Sequence, residues 1–185
     1  KLAALLASLA MGYVLPGEFV LRHLAEARDG LPLVNLSVEG SVTFLGEAME
    51  ARFQIKLPGR CRLEVVGRDG AKSAVVSSFG KKRVEGMELP VMSAALEQVC
   101  QALAIRSANE GESRAALEKH LRALGVDPKT TSLARMAGQV AFVLGEAAEK
   151  KPQLWVYKDG FQPARVRFID GGGSVWDVKL VDYSS

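Results

Sequence analysis

The chain has 185 residues, 48% of them hydrophobic and 24% charged, with a formal net charge of +3. That is enough for one domain with a substantial core, and too apolar for wholesale disorder. The small net charge and the lack of a Lys/Arg cluster interleaved with aromatics exclude a dedicated nucleic-acid binder, and two His and two Cys without clustered spacing make no metal motif.

Residues 1–12 carry one positive charge, then an apolar run, then small residues at Ser8/Ala10 or Ala10/Gly12. Two readings stand. One is the end of a secretory signal peptide, too short for a spanning helix of about 20 residues, leaving 13–185 as a single domain. The other is a buried N-terminal helix rich in Ala and Leu. No Cys follows the run, so a lipid-anchored N-terminus is not expected.

Pro16-Gly17-Glu18 opens a helix over Phe19–Arg28, with Val20, Leu24 and Ala27 at helical spacing and Gly30 to end it. From Asn35 the period becomes two. Leu36, Val38, Val42 and Phe44 alternate, with Gly40 where a long strand can bend, and Met49, Ala51, Phe53, Ile55 and Leu57 repeat the pattern after a Gly46-Glu47 turn. A third strand sets Cys61, Leu63 and Val65 against Arg60, Arg62 and Glu64; Arg68-Asp69-Gly70 turns into Lys72–Phe79, and Lys81–Glu85 follows. The connections are too short for parallel crossovers, so this is an antiparallel meander. Lys81-Lys82-Arg83 is a solvated strand start, with anionic lipid headgroups as its functional reading.

Met92, Leu96, Val99 and Leu103 then recur at helical spacing, and a second inserted helix runs from Ser113, a credible N-cap, through Leu117, Leu121 and Leu124 to Gly125. Strands return at Gln139–Leu144 and Ser174–Val181, while Ser132–Ala137 reads either as a further helix turn or as a strand, the strand being the favoured reading. Gly171-Gly172-Gly173 lacks the Lys and Ser/Thr of a phosphate loop and lies between strands, so it is a hairpin loop.

The run Leu154–Val166 is a hairpin in which Lys158-Asp159-Gly160 makes the turn and Pro163 marks the return strand. Its Trp155-Val156, Lys158-Asp159, Pro163 and Arg165 resemble the hairpin of the LolA/LolB-like periplasmic lipoprotein carrier superfamily, the outer-membrane lipoprotein-sorting proteins. The related domain of the sigma-E regulator RseB is, like them, an incomplete β-barrel with helices over an apolar cavity. In element order the resemblance runs from the Pro16 helix to the end of the chain; in sequence it is specific only around the hairpin.

The resemblance implies an α+β fold: a strongly curved antiparallel sheet, an incomplete β-barrel, whose concave face is covered by the N-terminal helix and the inserted helices. It also implies further strands beyond Ser185, periplasmic location with outer-membrane association, and binding and transport of a lipidated protein or acyl lipid without catalysis or cofactor. A membrane surface is a further partner on this reading. The alternative is a non-enzymatic sensor or scaffold of the same fold that binds a protein at a sheet edge. Candidate lining residues are Val42, Phe44, Phe53, Ile55, Leu63, Val65, Phe142, Trp176 and Val178 from strands, with Met92, Leu96 and Val99 from the inserted helix. Each is equally what a filled core requires. His23 and His120 lie on different helices, and no spacing brings them together for catalysis. Cys61 and Cys100 are either a disulfide between sheet and covering helix, in an oxidising compartment, or two small buried hydrophobes.

Overall fold

The computed structural model describes residues 14–29, 35–44, 46–56, 60–78, 81–87, 96 and 112–180. Helix α1 (Gly17–Asp29) precedes five strands: β1 (Asn35–Phe44), β2 (Glu47–Lys56), β3 (Arg60–Val66), β4 (Lys72–Ser78) and β5 (Lys81–Glu85). Helix α2 (Glu112–Ala123) leads to five more: β6 (Thr131–Met136), β7 (Gln139–Leu144), β8 (Gln153–Tyr157), β9 (Pro163–Ile169) and β10 (Val175–Lys179). Every pairing is antiparallel, and each sheet keeps its strands in chain order, β1 to β5 in one and β6 to β10 in the other.

The α+β class and the meander therefore stand as expected. The single continuous sheet is corrected, because the strands form two open ladders and none joins β5 to β6 among the described residues. A short turn propagates a ladder; the long connection between Glu85 and Thr131, which contains α2, does not.

Helix α1 starts where the Pro16 carbonyl accepts from the N–H groups of Phe19 (2.9 Å) and Val20 (3.2 Å). Glu18 in its first turn complements the positive end of the helix. Helix α2 starts one residue before the expected cap. Ser113 lies inside its first turn, and the Ser113 hydroxyl donates to Asp29 Oδ1 at 3.1 Å, tying the start of α2 to the end of α1. At the other end Gly125 takes φ 80°. That lets Val126 N–H reach the Leu121 carbonyl at 2.9 Å and Gly125 N–H reach that of Arg122 at 3.0 Å, the two bonds of a Schellman end.

Both helices lie on the second sheet. Val20, Leu21, Leu24, Leu117 and Leu121 interleave with Phe142, Leu144, Leu154, Val156, Val166 and Phe168, each no more than 1% exposed. The first sheet has a separate core of Ile55, Cys61, Val65 and Val75, closed by Leu96 from the inserted segment. Cys61 is disulfide-bonded, and the only other cysteine of the chain is Cys100, which lies outside the described residues. So do residues 1–12, Met92, Val99 and the rest of the segment expected to form the first inserted helix.

The start of α1 lies so close to the connection between α2 and β6 that Gly17 has no room for a side chain. A Cβ there would sit 1.6 Å from the Pro128 carbonyl oxygen and 3.2 Å from a Leu144 methyl. Neither backbone can yield without moving the helix start, so Gly17→Ala is expected to destabilise the fold by about 3 kcal/mol. A urea midpoint unchanged by Gly17→Ala would contradict that close approach.

Candidate functional site

Period two over β1 to β3 sorts the first sheet into an apolar and a charged face, and β4 and β5 follow it with Val75 and Val84 on the apolar side beside Ser73, Ser77 and Lys82. The register aligns the apolar positions in cross-strand rows. One row is Leu36, Ile55, Cys61, Ser77 and Lys82; the next is Val38, Phe53, Leu63, Val75 and Val84; a third begins Gly40, Ala51, Val65 and Ser73. The middle row is apolar on all five strands. At about 4.8 Å per strand it runs roughly 19 Å across the sheet, the scale of an extended long-chain acyl group.

This face is only partly closed. Ile55, Cys61, Val65 and Val75 are buried around Leu96, whereas Leu36, Met49, Ala51, Phe53, Leu63 and Val84 remain half-buried against them. The second sheet differs sharply, since the helices seal its apolar face almost completely. Four of the expected lining residues, Phe53, Ile55, Leu63 and Val65, are thus brought together with Leu96. Val42 and Phe44 occupy β1 opposite Met49 and Glu47 of β2. Phe142 and Trp176 are placed elsewhere: Phe142 is fully buried in the helix-covered core, and Trp176 packs at its margin. Val178 is half-buried on β10 opposite Val166. Alternation in sequence does not distinguish a position under a helix from one on an open face.

The opposite face of the first sheet is an ionic lattice. Arg52 bonds Glu39 at 2.7 Å, and Arg62 bridges Glu85 at 2.7 Å and Glu64 at 3.0 Å. Arg62 and, next, Arg83 hold the Glu85 carboxyl below its ordinary value. A cavity of about 420 Å³ opens on this face, lined by Glu39, Glu50, Arg52, Glu64 and Lys72 among others. Its charges suit polar ligands and not an acyl chain.

The signature hairpin organises the second sheet. Trp155 donates from Nε1 to Gln153 Oε1 at 2.9 Å, and the Arg165 guanidinium lies 4.9 Å from the centre of a Trp155 ring. Arg165 also makes a two-point contact with Asp177 on β10, joined by Arg167 at 3.3 Å. Arg165 holds the Asp177 carboxyl below its usual range. Trp155, Arg165 and Asp177 therefore link three adjacent strands, β8, β9 and β10. Asp177 was missed as their partner because nothing local to it marks a contact across the sheet.

Asp170 was also missed, although an Asp before three glycines is an Asx-turn signal. Its Oδ1 accepts from Gly172 and Ser174 N–H at 2.9 Å, and its Oδ2 accepts from Trp176 Nε1 at 2.9 Å. The Trp176 indole first, then these amides, lower its pKa. A carboxyl that releases its proton more readily when folded contributes its full stabilisation above the unfolded value of about 3.9. That contribution disappears as pH falls through the lower folded value. The Trp176 indole N–H resonance should accordingly titrate with a midpoint below that of an ordinary aspartate; a midpoint at or above it would refute the bond.

His23 lies between the Phe19 and Phe161 rings with Nδ1 2.9 Å from Glu26, and His120 is buried on α2. Among the described residues no group of three or more His, Cys, Asp or Glu is placed to hold a metal ion, and no helix is long and apolar enough to cross a membrane.

No protein-family model and no curated protein matches the chain. Among solved structures it is similar to MucB, at 17% identity over 87% of this chain and 55% of that one, with a TM-score of 0.43. It is similar also to a LolA superfamily protein from Nitrosomonas europaea, at 9% identity over 93% of this chain and 80% of that one, with a TM-score of 0.41. A third is the MucA/MucB complex of Pseudomonas aeruginosa, at 17% identity, 87% and 53% coverage and a TM-score of 0.38. The chain spans 55% and 53% of the two matched chains in the MucB structures.

Proposed function

We propose that the chain is a binding module that holds an acyl chain, free or attached to a protein, against the apolar face of its first sheet, and hands it on without chemistry. The carrying observation is the contrast between the two sheets. One apolar face is sealed by helices, and the other leaves Leu36, Met49, Phe53 and Leu63 half-buried beside a five-strand apolar row.

The energetics suit reversible carriage. Fully burying a dozen methylenes contributes roughly 10 kcal/mol at about 0.8 kcal/mol each. A chain laid on a half-open face gains only part of that, and the cost of association lowers the net further without cancelling it. Transfer to a membrane or second carrier is then not blocked by excessive affinity. The disulfide at Cys61 supports residence in an oxidising compartment, the periplasm on this reading.

The deciding experiment is native mass spectrometry of the chain secreted into a bacterial periplasm, followed by organic extraction. A stoichiometric acyl ligand, lost from a folded Phe53→Asp variant, is the expected result. A ligand-free chain that takes up neither a fatty acid nor a lipidated peptide would overturn lipid carriage and leave protein binding at a sheet edge. That second reading is favoured by β1, a ten-residue strand paired on one side only among the described residues.

A further inference from the structure

We propose that β1 is a self-pairing edge: two copies of this chain join antiparallel along Leu36–Phe44 about a two-fold axis at Gly40, making one continuous ten-stranded sheet from the two first sheets. The proposal does not depend on whether the apolar face holds lipid.

An exposed strand edge is a template for another strand, and proteins usually blunt it with lysines, prolines, bulges or brevity. β5, at the far edge of the same sheet, begins Lys81-Lys82-Arg83. The edges of the second sheet are short: β6 has six residues and includes Arg135, and β10 has five and includes Asp177 and Lys179. Among the described residues nothing pairs with the free edge of β1, and its sequence has none of these safeguards. It is ten residues long, contains no Lys or Pro and has Glu39 as its single charge. Its register with β2 runs through ten consecutive partners without a shift. Asn35, Ser37, Glu39, Gly40, Ser41 and Thr43 are all exposed.

The partner follows from the order of residues in the strand. Outward from Gly40 in the two directions, the sequence reads Glu39/Ser41, Val38/Val42, Ser37/Thr43 and Leu36/Phe44, polar matched with polar and apolar with apolar. In an antiparallel pair, directly opposite residues share a face. A two-fold axis at Gly40 therefore sets Val38 opposite the partner's Val42 and Leu36 opposite the partner's Phe44, and the apolar rows continue across the junction. Charge selects this register over its neighbours. An axis at Glu39 would oppose two like charges, which is destabilising; the axis at Gly40 sets Glu39 against the partner's Ser41. An axis at Ser41 is free of like charges but overlaps fewer residues. At the axis itself Gly40 presents bare backbone, with nothing within 4 Å of where a Cβ would stand.

The axis can be tested by cross-linking. Gly40→Cys places two thiols across the two-fold at the Cα separation of a strand pair, within the range a disulfide spans. Ser37→Cys, three residues from the axis, separates its two copies by about 20 Å, beyond that range. Rapid dimer formation by Gly40→Cys but not by Ser37→Cys under mild oxidation is expected. Sedimentation equilibrium of the unmodified chain should show reversible dimers. Ser41→Glu, which faces the partner's Glu39 twice per dimer, should raise the dissociation constant roughly tenfold, and Ser41→Lys should lower it by a similar factor. Both variants are compared by thermal melting, because Ser41 also stands opposite Glu50 in β2; loss of fold alone cannot move the two constants in opposite directions. A chain that sediments as a monomer, equal cross-linking at Ser37→Cys and Gly40→Cys, or a common direction for the two Ser41 variants would each overturn the proposal. Lipid uptake by a monomeric chain would remove the dimer while leaving the binding function in place.

Discussion

Phe142→Ala is expected to cost about 4 kcal/mol of folding stability while leaving acyl binding by the folded fraction unchanged. Phe142 is fully buried beneath the helices and lies 6.0 Å, ring centre to ring centre, from the half-buried Phe161. Truncation leaves a cavity that the two helices and the sheet cannot collapse to fill. Phe53→Ala is the informative counterpart. Phe53 is half-buried between Val38 and Leu63 in the apolar row, so its removal forfeits roughly half as much stability and most of the contact available to a ligand. Denaturant midpoints read with a fluorescent fatty acid separate the two effects. If Phe142→Ala abolished uptake in still-folded protein, or Phe53→Ala left uptake intact, the binding face would be on the other sheet.

Reducing the disulfide at Cys61 is expected to destabilise the protein by about 4 kcal/mol. With Cys100 the only other cysteine, the bridge closes a loop of about 40 residues, and the chain-entropy relation for a loop of that size gives this figure. The native consequence is local as well, because Cys61 is 2% exposed and touches the cluster that contains Leu96. Loosening the bridge is accordingly expected to affect the core of the first sheet before that of the second. Urea titrations with and without reductant, followed by Trp fluorescence, measure the first effect. Coincident midpoints would show that the bridge does not restrain the unfolded chain.

How far the sequence carried the structure depends on the range of the interaction involved. Local chemistry was legible: Gly125 ends α2, Gly46, Gly70 and Gly160 take positive φ at the turns, and Ser132–Ala137, ambiguous in sequence, pairs as a strand to Met136. Faces were legible too, because Met49, Ala51, Phe53 and Ile55 alternate with charged and polar residues whose partners on β3 do the same. Partition was not. Phe53 and Phe142 have the same local pattern, and only long-range packing assigns one to an open face and the other to a sealed core. Asp177 and Asp170 were invisible for a related reason: a carboxylate's value lies in the Arg165 or Trp176 that the fold brings to it.

The separation of the first sheet's core from the helix-covered core of the second also bears on how such a sequence can change over generations. Substitutions at sites that share no contacts have effects that add, so the first sheet can exchange Leu36, Met49, Phe53 or Leu63 without weakening the helices on the second. A fold just above its stability threshold tolerates little trial and error at a ligand face. Here the helix-covered core of the second sheet shares no residue with the core of the first, so substitutions on the half-open face leave that core intact.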